Sequence, residues 1–162
     1  MNRPLRRKDR IMDEENIRRV LEENSHGVLA TISEDNTPYA NPISYVYHKN
    51  CIYFHSASAG HKVDNIALNS SVAFTVVGRV EMKVPKPDAY FESVIAFGKA
   101  SRVLDFEEQV GAMQALTKIF MPDKVQGVEE TIKRLQSAMI VYRIDIDHIS
   151  GKLRKGSSSD NH

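Results

Sequence analysis

Three short runs rich in β-branched and aromatic residues, 28–33, 39–47 and 51–56, follow one another with only turn-forming clusters between them. Glu34-Asp35-Asn36-Thr37-Pro38 separates the first pair and His48-Lys49-Asn50 the second. Connections this short leave no room for a crossover helix, so these strands must run antiparallel, as a meander. The β pattern resumes downstream. Residues 72–77 form a continuous apolar strand, and another long strand runs from near Phe91 to Leu104. In the last strand Ile140, Tyr142, Ile144 and Ile146 alternate with Val141, Arg143, Asp145 and Asp147. Gly98 interrupts the long strand and predicts a bulge or a close backbone approach.

Helical spacing is confined to the flanks of these strands. Ile17, Val20 and Leu21 recur through a segment of good helix formers at 13–24, and Val63, Ile66 and Ala67 share a face of a short helix opened by Ser58-Ala59-Gly60. Asp105 and Glu108 form a cap-like pair ahead of Val110, Met113, Leu116 and Phe120, while Val128, Ile132 and Leu135 mark a helix beyond Pro122. The expected fold is α+β, a mainly antiparallel six-stranded barrel or strongly curled sheet with peripheral helices. One domain spans residues 13–155. A basic arm, 1–12, precedes it, and a Ser-rich, apolar-free tail, 156–162, follows and is expected to be disordered. Two prolines and two lysines within 83–88 predict an irregular loop.

Charge and cysteine usage narrow the partners. Lys+Arg 22 against Asp+Glu 21 gives a net charge of +1, so no global field favours nucleic acid or a membrane surface. The cations of the arm, Arg3, Arg6, Arg7, Lys8 and Arg10, lack interleaved aromatics and read as a solvated segment. No apolar run approaches the ~20 residues of a membrane helix, and no signal core precedes Asp13. The single cysteine, Cys51, excludes an internal disulfide and fits a reducing, cytoplasmic compartment.

Chemistry concentrates in His55-Ser56-Ala57-Ser58-Ala59-Gly60-His61-Lys62, where a strand gives way to a helix that begins with a cation. Free N–H groups at a helix start, small residues and a lysine make an anion cradle; the plainer reading is a strand-to-helix connection with an exposed lysine. Cys51 and His55 share a strand face but stand roughly 13 Å apart, too far for one metal ion or for a nucleophile and its base. No metal site is expected, and Cys51 reads as a small buried hydrophobe. His55 by default is a core or rim histidine, and His26 and His48 adjoin turns. No Gly-x-Gly-x-x-Gly or Walker loop is present, so a separate dinucleotide domain is absent.

Five segments carry a wider resemblance: Val28-Leu29-Ala30-Thr31-Ile32, Pro42-Ile43-Ser44-Tyr45-Val46-Tyr47, Ile52-Tyr53-Phe54-His55-Ser56, Glu92-Ser93-Val94-Ile95-Ala96-Phe97-Gly98-Lys99-Ala100 and Ile149-Ser150-Gly151-Lys152. In order and spacing the chain resembles the flavin-binding split β-barrel family that includes pyridoxamine 5′-phosphate oxidase, and within it the 5-nitroimidazole-resistance branch. The resemblance implies a homodimer with FMN at the subunit interface. Asn41, Pro42, Ile43 and Ser44 would then border the isoalloxazine, His55, Ser56, His61 and Lys62 would approach the ribityl phosphate, and Glu92, Ser93 and Val94 would come from the partner chain.

Departures bear on the reaction. The family's vitamin B6 oxidases have arginines where this chain has Asn41 and His61, and an Arg-and-His signature where it reads Gly151-Lys152-Leu153-Arg154-Lys155-Gly156. The expectation is instead an FMN-dependent reductase of a small, electron-poor nitroaromatic or quinone-like acceptor, with an unidentified electron donor. His55 would be its catalytic proton donor or else a phosphate ligand. The alternative is a non-catalytic flavin- or haem-binding module, with His55 or His148 as axial ligand for haem.

Overall fold

The computed structural model describes residues 5–83 and 88–155. The expected tail at 156–162 and the middle of the expected loop at 83–88 lie outside the described residues.

The elements follow in the order α1 (Glu14–Glu23), β1 (His26–Ile32), β2 (Pro38–Ser44), β3 (Val46–His48), β4 (Cys51–Ala57), α2 (His61–Leu68), β5 (Ser71–Lys83), β6 (Asp88–Arg102), α3 (Phe106–Phe120), α4 (Val128–Leu135) and β7 (Met139–Arg154). Short 3-10 turns occupy Lys8–Arg10 and Pro122–Gly127. Asp13 and Asp105 cap α1 and α3, each side chain accepting the backbone N–H three residues on, from Asn16 and Glu108.

One sheet holds all the strands in the order β2-β1-β5-β6-β7-β4-β3, and every neighbouring pair is antiparallel. The described strands number seven, one more than the sequence predicts, because the run 39–47 breaks at Tyr45. Tyr45 is fully buried; its hydroxyl donates to the Leu21 carbonyl at 2.8 Å and its N–H to the Ser25 carbonyl at 2.9 Å. The half before Tyr45 pairs at one edge of the sheet and the half after it at the other. One residue thus joins the two edges, so the sheet must curl into a barrel, which stays split because β2 pairs with neither β3 nor β4.

Leu29, Phe54, Phe74, Val94 and Tyr142 fill the interior, and Ile17, Val20 and Leu21 of α1 join the same cluster. A second cluster forms outside the barrel, where α3 and α4 lay Met113, Leu116 and Ile132 on Val46, Tyr53 and Val141. Gly98 is both a bulge and a close approach: the β6–β7 register shifts between Phe97 and Gly98, and a Cβ there would meet the Asp145 carbonyl oxygen at 2.0 Å. In α2 the buried positions are Val63, Asn65 and Ile66, whereas Ala67 is exposed. Asn65 takes the inward place because its side-chain amide donates to the Thr31 hydroxyl at 2.9 Å. The arm ends earlier than its composition suggests. Met12 is buried and donates its N–H to the Gly151 carbonyl, and Ile11 bridges to Lys152. Among the described residues no helix is long and apolar enough to cross a membrane.

Candidate functional site

Alternation along β4 sends Phe54 and Ser56 inward and Tyr53 and His55 outward, toward the layer of α3 and α4. Gly60 then turns the chain with φ +129, a conformation side chains resist, and α2 begins. Lys62 in its first turn stands near His55. Desolvation by the surrounding walls, and then the Lys62 charge, lower the His55 imidazole below the ordinary histidine pKa. Ser56 is buried on the opposite face. His61 turns toward the β1–β2 hairpin, with Nε2 2.9 Å from the Ser33 hydroxyl and its ring 4.2 Å from that of Tyr39. The eight-residue run therefore divides into His55 with Lys62, an inward Ser56, and His61 on a neighbouring wall.

From β2, Asn41 pairs with Leu29 and faces the same side as that interior residue. Its Oδ1 is buried and accepts no hydrogen bond from the described residues. Pro42 is exposed and Ile43 packs against the interior cluster. Ser44 and His55 together line a cavity of about 420 Å³ whose other walls come from α3, α4, the turn between them and Met139.

Glu92, Ser93 and Val94 divide by strand parity. Val94 is fully buried in the interior cluster, and Glu92 is 1% exposed. The Glu92 carboxylate pairs with Arg19 and accepts from the Tyr90 hydroxyl and the Arg79 N–H. Burial alone would raise its pKa, but these three donors more than offset that and hold the carboxyl below its ordinary value. Both side chains are thus committed inside this chain, not to a partner as the resemblance implies. Ser93 faces outward between Val77 and Lys152.

Cys51 is half-buried, less enclosed than its expected role as a core hydrophobe, because it borders a polar network outside β4. There Glu108 accepts from the Tyr53 hydroxyl at 2.8 Å and from Arg143 at 2.9 Å, and the Cys51 thiol reaches Asp145 at 3.6 Å. Burial, and then Asp145, push that thiol up and leave it protonated. Among the described residues no three His, Cys, Asp or Glu side chains are grouped to hold a metal.

Sequence reasoning missed the cavity's helical wall. Met113, Leu116 and Phe120 were legible as one helix face, but nothing local says that part of this face remains uncovered beside His55. His26, which adjoins a turn, is exposed, and its ring contacts Phe120 edge-on at 5.5 Å.

A sequence model of the pyridoxamine 5′-phosphate oxidase family matches residues 13–153, nearly the whole described domain. The chain belongs to this family. No curated protein matches it. Among solved structures in the same fold, a candidate 5-nitroimidazole antibiotic resistance protein from Bacteroides thetaiotaomicron superposes with TM-score 0.76 at 18% identity, covering 88% of this chain and 86% of that one. An FAD- and haem-binding protein from Mycobacterium smegmatis gives TM-score 0.75 at 19% identity, over 92% and 75%. An FAD-binding protein from the same organism gives 0.62 at 20%, over 90% and 99%. At such identities these likenesses establish the split-barrel fold that the family match also implies.

Proposed function

We propose that the protein is an FMN-dependent oxidoreductase that works as a homodimer and reduces a small, electron-poor acceptor of nitroaromatic or quinone type. The observation that carries this reading is the buried Asn41 Oδ1 without a donor. A buried acceptor left unmade costs about 1–3 kcal/mol unless a ligand completes it, and the imide N–H of a flavin ring is such a donor. Lys62 adds a cation for the phosphate: it enters none of the ion pairs among the described residues and sits in the first turn of α2, where a cation opposes the helix dipole. Family membership agrees, as do the flavin ligands named for two of the structural neighbours.

When bound, FMN supplies the electron transfer. The chain's own residues orient it and shape what meets it. Ser44, on the strand assigned to the flavin edge, and His55, beside Lys62, both line the largely apolar cavity that would receive the acceptor. In this reading the exposed His55 takes up a proton from solvent and passes it to the acceptor as that is reduced; its lowered pKa favours release and returns the ring to the neutral form. Because arginines are missing at positions 41 and 61, vitamin B6 oxidation is not proposed.

The test is the absorption spectrum of the purified protein, followed by anaerobic reaction of its dithionite-reduced form with a nitroaromatic and a quinone. A flavin spectrum and reoxidation faster than that of free reduced FMN are expected. His55→Ala is expected to slow the reaction by about 10²-fold while the flavin stays bound. Reoxidation no faster than free flavin would favour a storage or sensor role, and a haem spectrum without flavin would overturn the reading.

A further inference from the structure

The cavity beside Ser44 and His55 is large for a small nitroaromatic alone, since its volume of about 420 Å³ lies in the range that encloses drug-sized ligands. Most of its wall is apolar and belongs to α3, α4 and β7. Three methionines, Met113, Met121 and Met139, line this one space. Thioether side chains adapt to flat outlines and pack well on aromatic edges, so the wall suits a ring system. Its charge is one-sided. Among the described residues no Asp or Glu lines the cavity, and the one Lys or Arg that does is Lys124, carried by the turn Pro122–Gly127 between the two helices. Lys124 joins none of the ion pairs among the described residues. A cationic ligand would be desolvated here without a counter-charge, which is costly. An anionic group meets a free ammonium instead.

The geometry points to an aromatic acid as the occupant, with a one- or two-ring body on the methionine wall and a carboxylate at Lys124. This deepens the oxidoreductase reading and rests on it only for the claim that the occupant is the electron acceptor; the binding site itself does not depend on turnover.

The test is a calorimetric titration of the protein as purified, at low salt, with 2-naphthoate and with its neutral isostere 2-naphthamide. Naphthoate is expected to bind about fivefold tighter, the scale of one partly exposed ion pair, and the advantage is expected to fade at high salt. Lys124→Gln should bring the two dissociation constants together while leaving that of naphthamide unchanged. Thr117→Trp, which fills the cavity from a half-buried position, should weaken both. Equal binding in the unaltered protein, an advantage that survives Lys124→Gln, or no binding of either probe overturns the proposal. Flavin absorbance is read from the same sample. Discrimination without flavin defeats the oxidoreductase reading and spares this one; flavin without discrimination does the reverse.

Discussion

At the scale of single residues, Lys62 and Asn41 are each incomplete in the protein alone, and in complementary ways. Lys62 offers a positive charge without a partner in the ion pairs, and Asn41 an acceptor without a donor. Glu92 shows the contrast: equally polar and more deeply placed, it has every partner it needs from Arg19, Tyr90 and Arg79. Completion separates a structural polar group from one that awaits a ligand. Lys62→Ala is therefore expected to weaken FMN about ten- to hundredfold, the worth of a charge-assisted hydrogen bond, and to leave riboflavin nearly unaffected because riboflavin has no phosphate. Equal losses for both, measured by fluorescence titration, would place Lys62 away from the phosphate. The same substitution removes one of the two influences that hold His55 neutral. Lys62 and His55 were legible in the sequence because seven positions on one strand-to-helix connection bring them together. The orphaned oxygen of Asn41 was not, since burial of a side chain on an edge strand depends on what the distant chain packs over it.

Among elements, those governed by neighbouring residues could be read directly. The cap at Asp105, the apolar stripe of α1 and the alternation of β7 all lie where the spacing predicts. Position 45 could not be read this way. The run 39–47 is β-prone throughout, and it breaks only because Tyr45 finds its partners, Leu21 and Ser25, across the chain. Gly98 lies between these cases. A strand glycine announces a close approach, and the structure supplies the neighbour: the Asp145 carbonyl, 2.0 Å from where a Cβ would stand. That neighbour is backbone and cannot rotate away, so Gly98→Ala must push β6 and β7 apart. The expected cost is about 3 kcal/mol, the upper end of overpacking penalties, read as a lower urea midpoint. Gly111 in α3 is the control, because its added methyl meets nothing within 4 Å. Gly111→Ala is expected to stabilise by about 0.5–1 kcal/mol through helix propensity. Similar effects at both positions would mean that the β6–β7 contact is not the constraint.

For the whole molecule, the barrel has two outer surfaces of different kinds. The surface over β3, β4 and β7 is covered by α3 and α4, whereas the helices that meet β1, β5 and β6, namely α1 and α2, join the interior cluster and leave outward apolar side chains of these strands bare. Strand register places Val28, Thr75 and Ile95 in one row of that bare face, Ala73 and Phe97 in the next, and Val77 and Ser93 further along. Val28, Val77, Ile95 and Phe97 remain 41%, 50%, 37% and 48% exposed. Rows of apolar side chains in register form a patch, and such patches mark association surfaces. Ser93, the outward member of the segment proposed to reach the partner's flavin, lies on the same face. Dimerisation and cofactor retention should therefore fail together. Phe97→Lys places a charge in the middle of this patch without touching the interior, so circular dichroism and thermal midpoint should change little. Light scattering is expected to report a dimer for the unaltered protein and a monomer for the variant, and the variant is expected to lose FMN on gel filtration. A variant that becomes monomeric yet keeps its flavin would confine the cofactor site to one chain. If the variant stays dimeric, the interface lies elsewhere on the barrel.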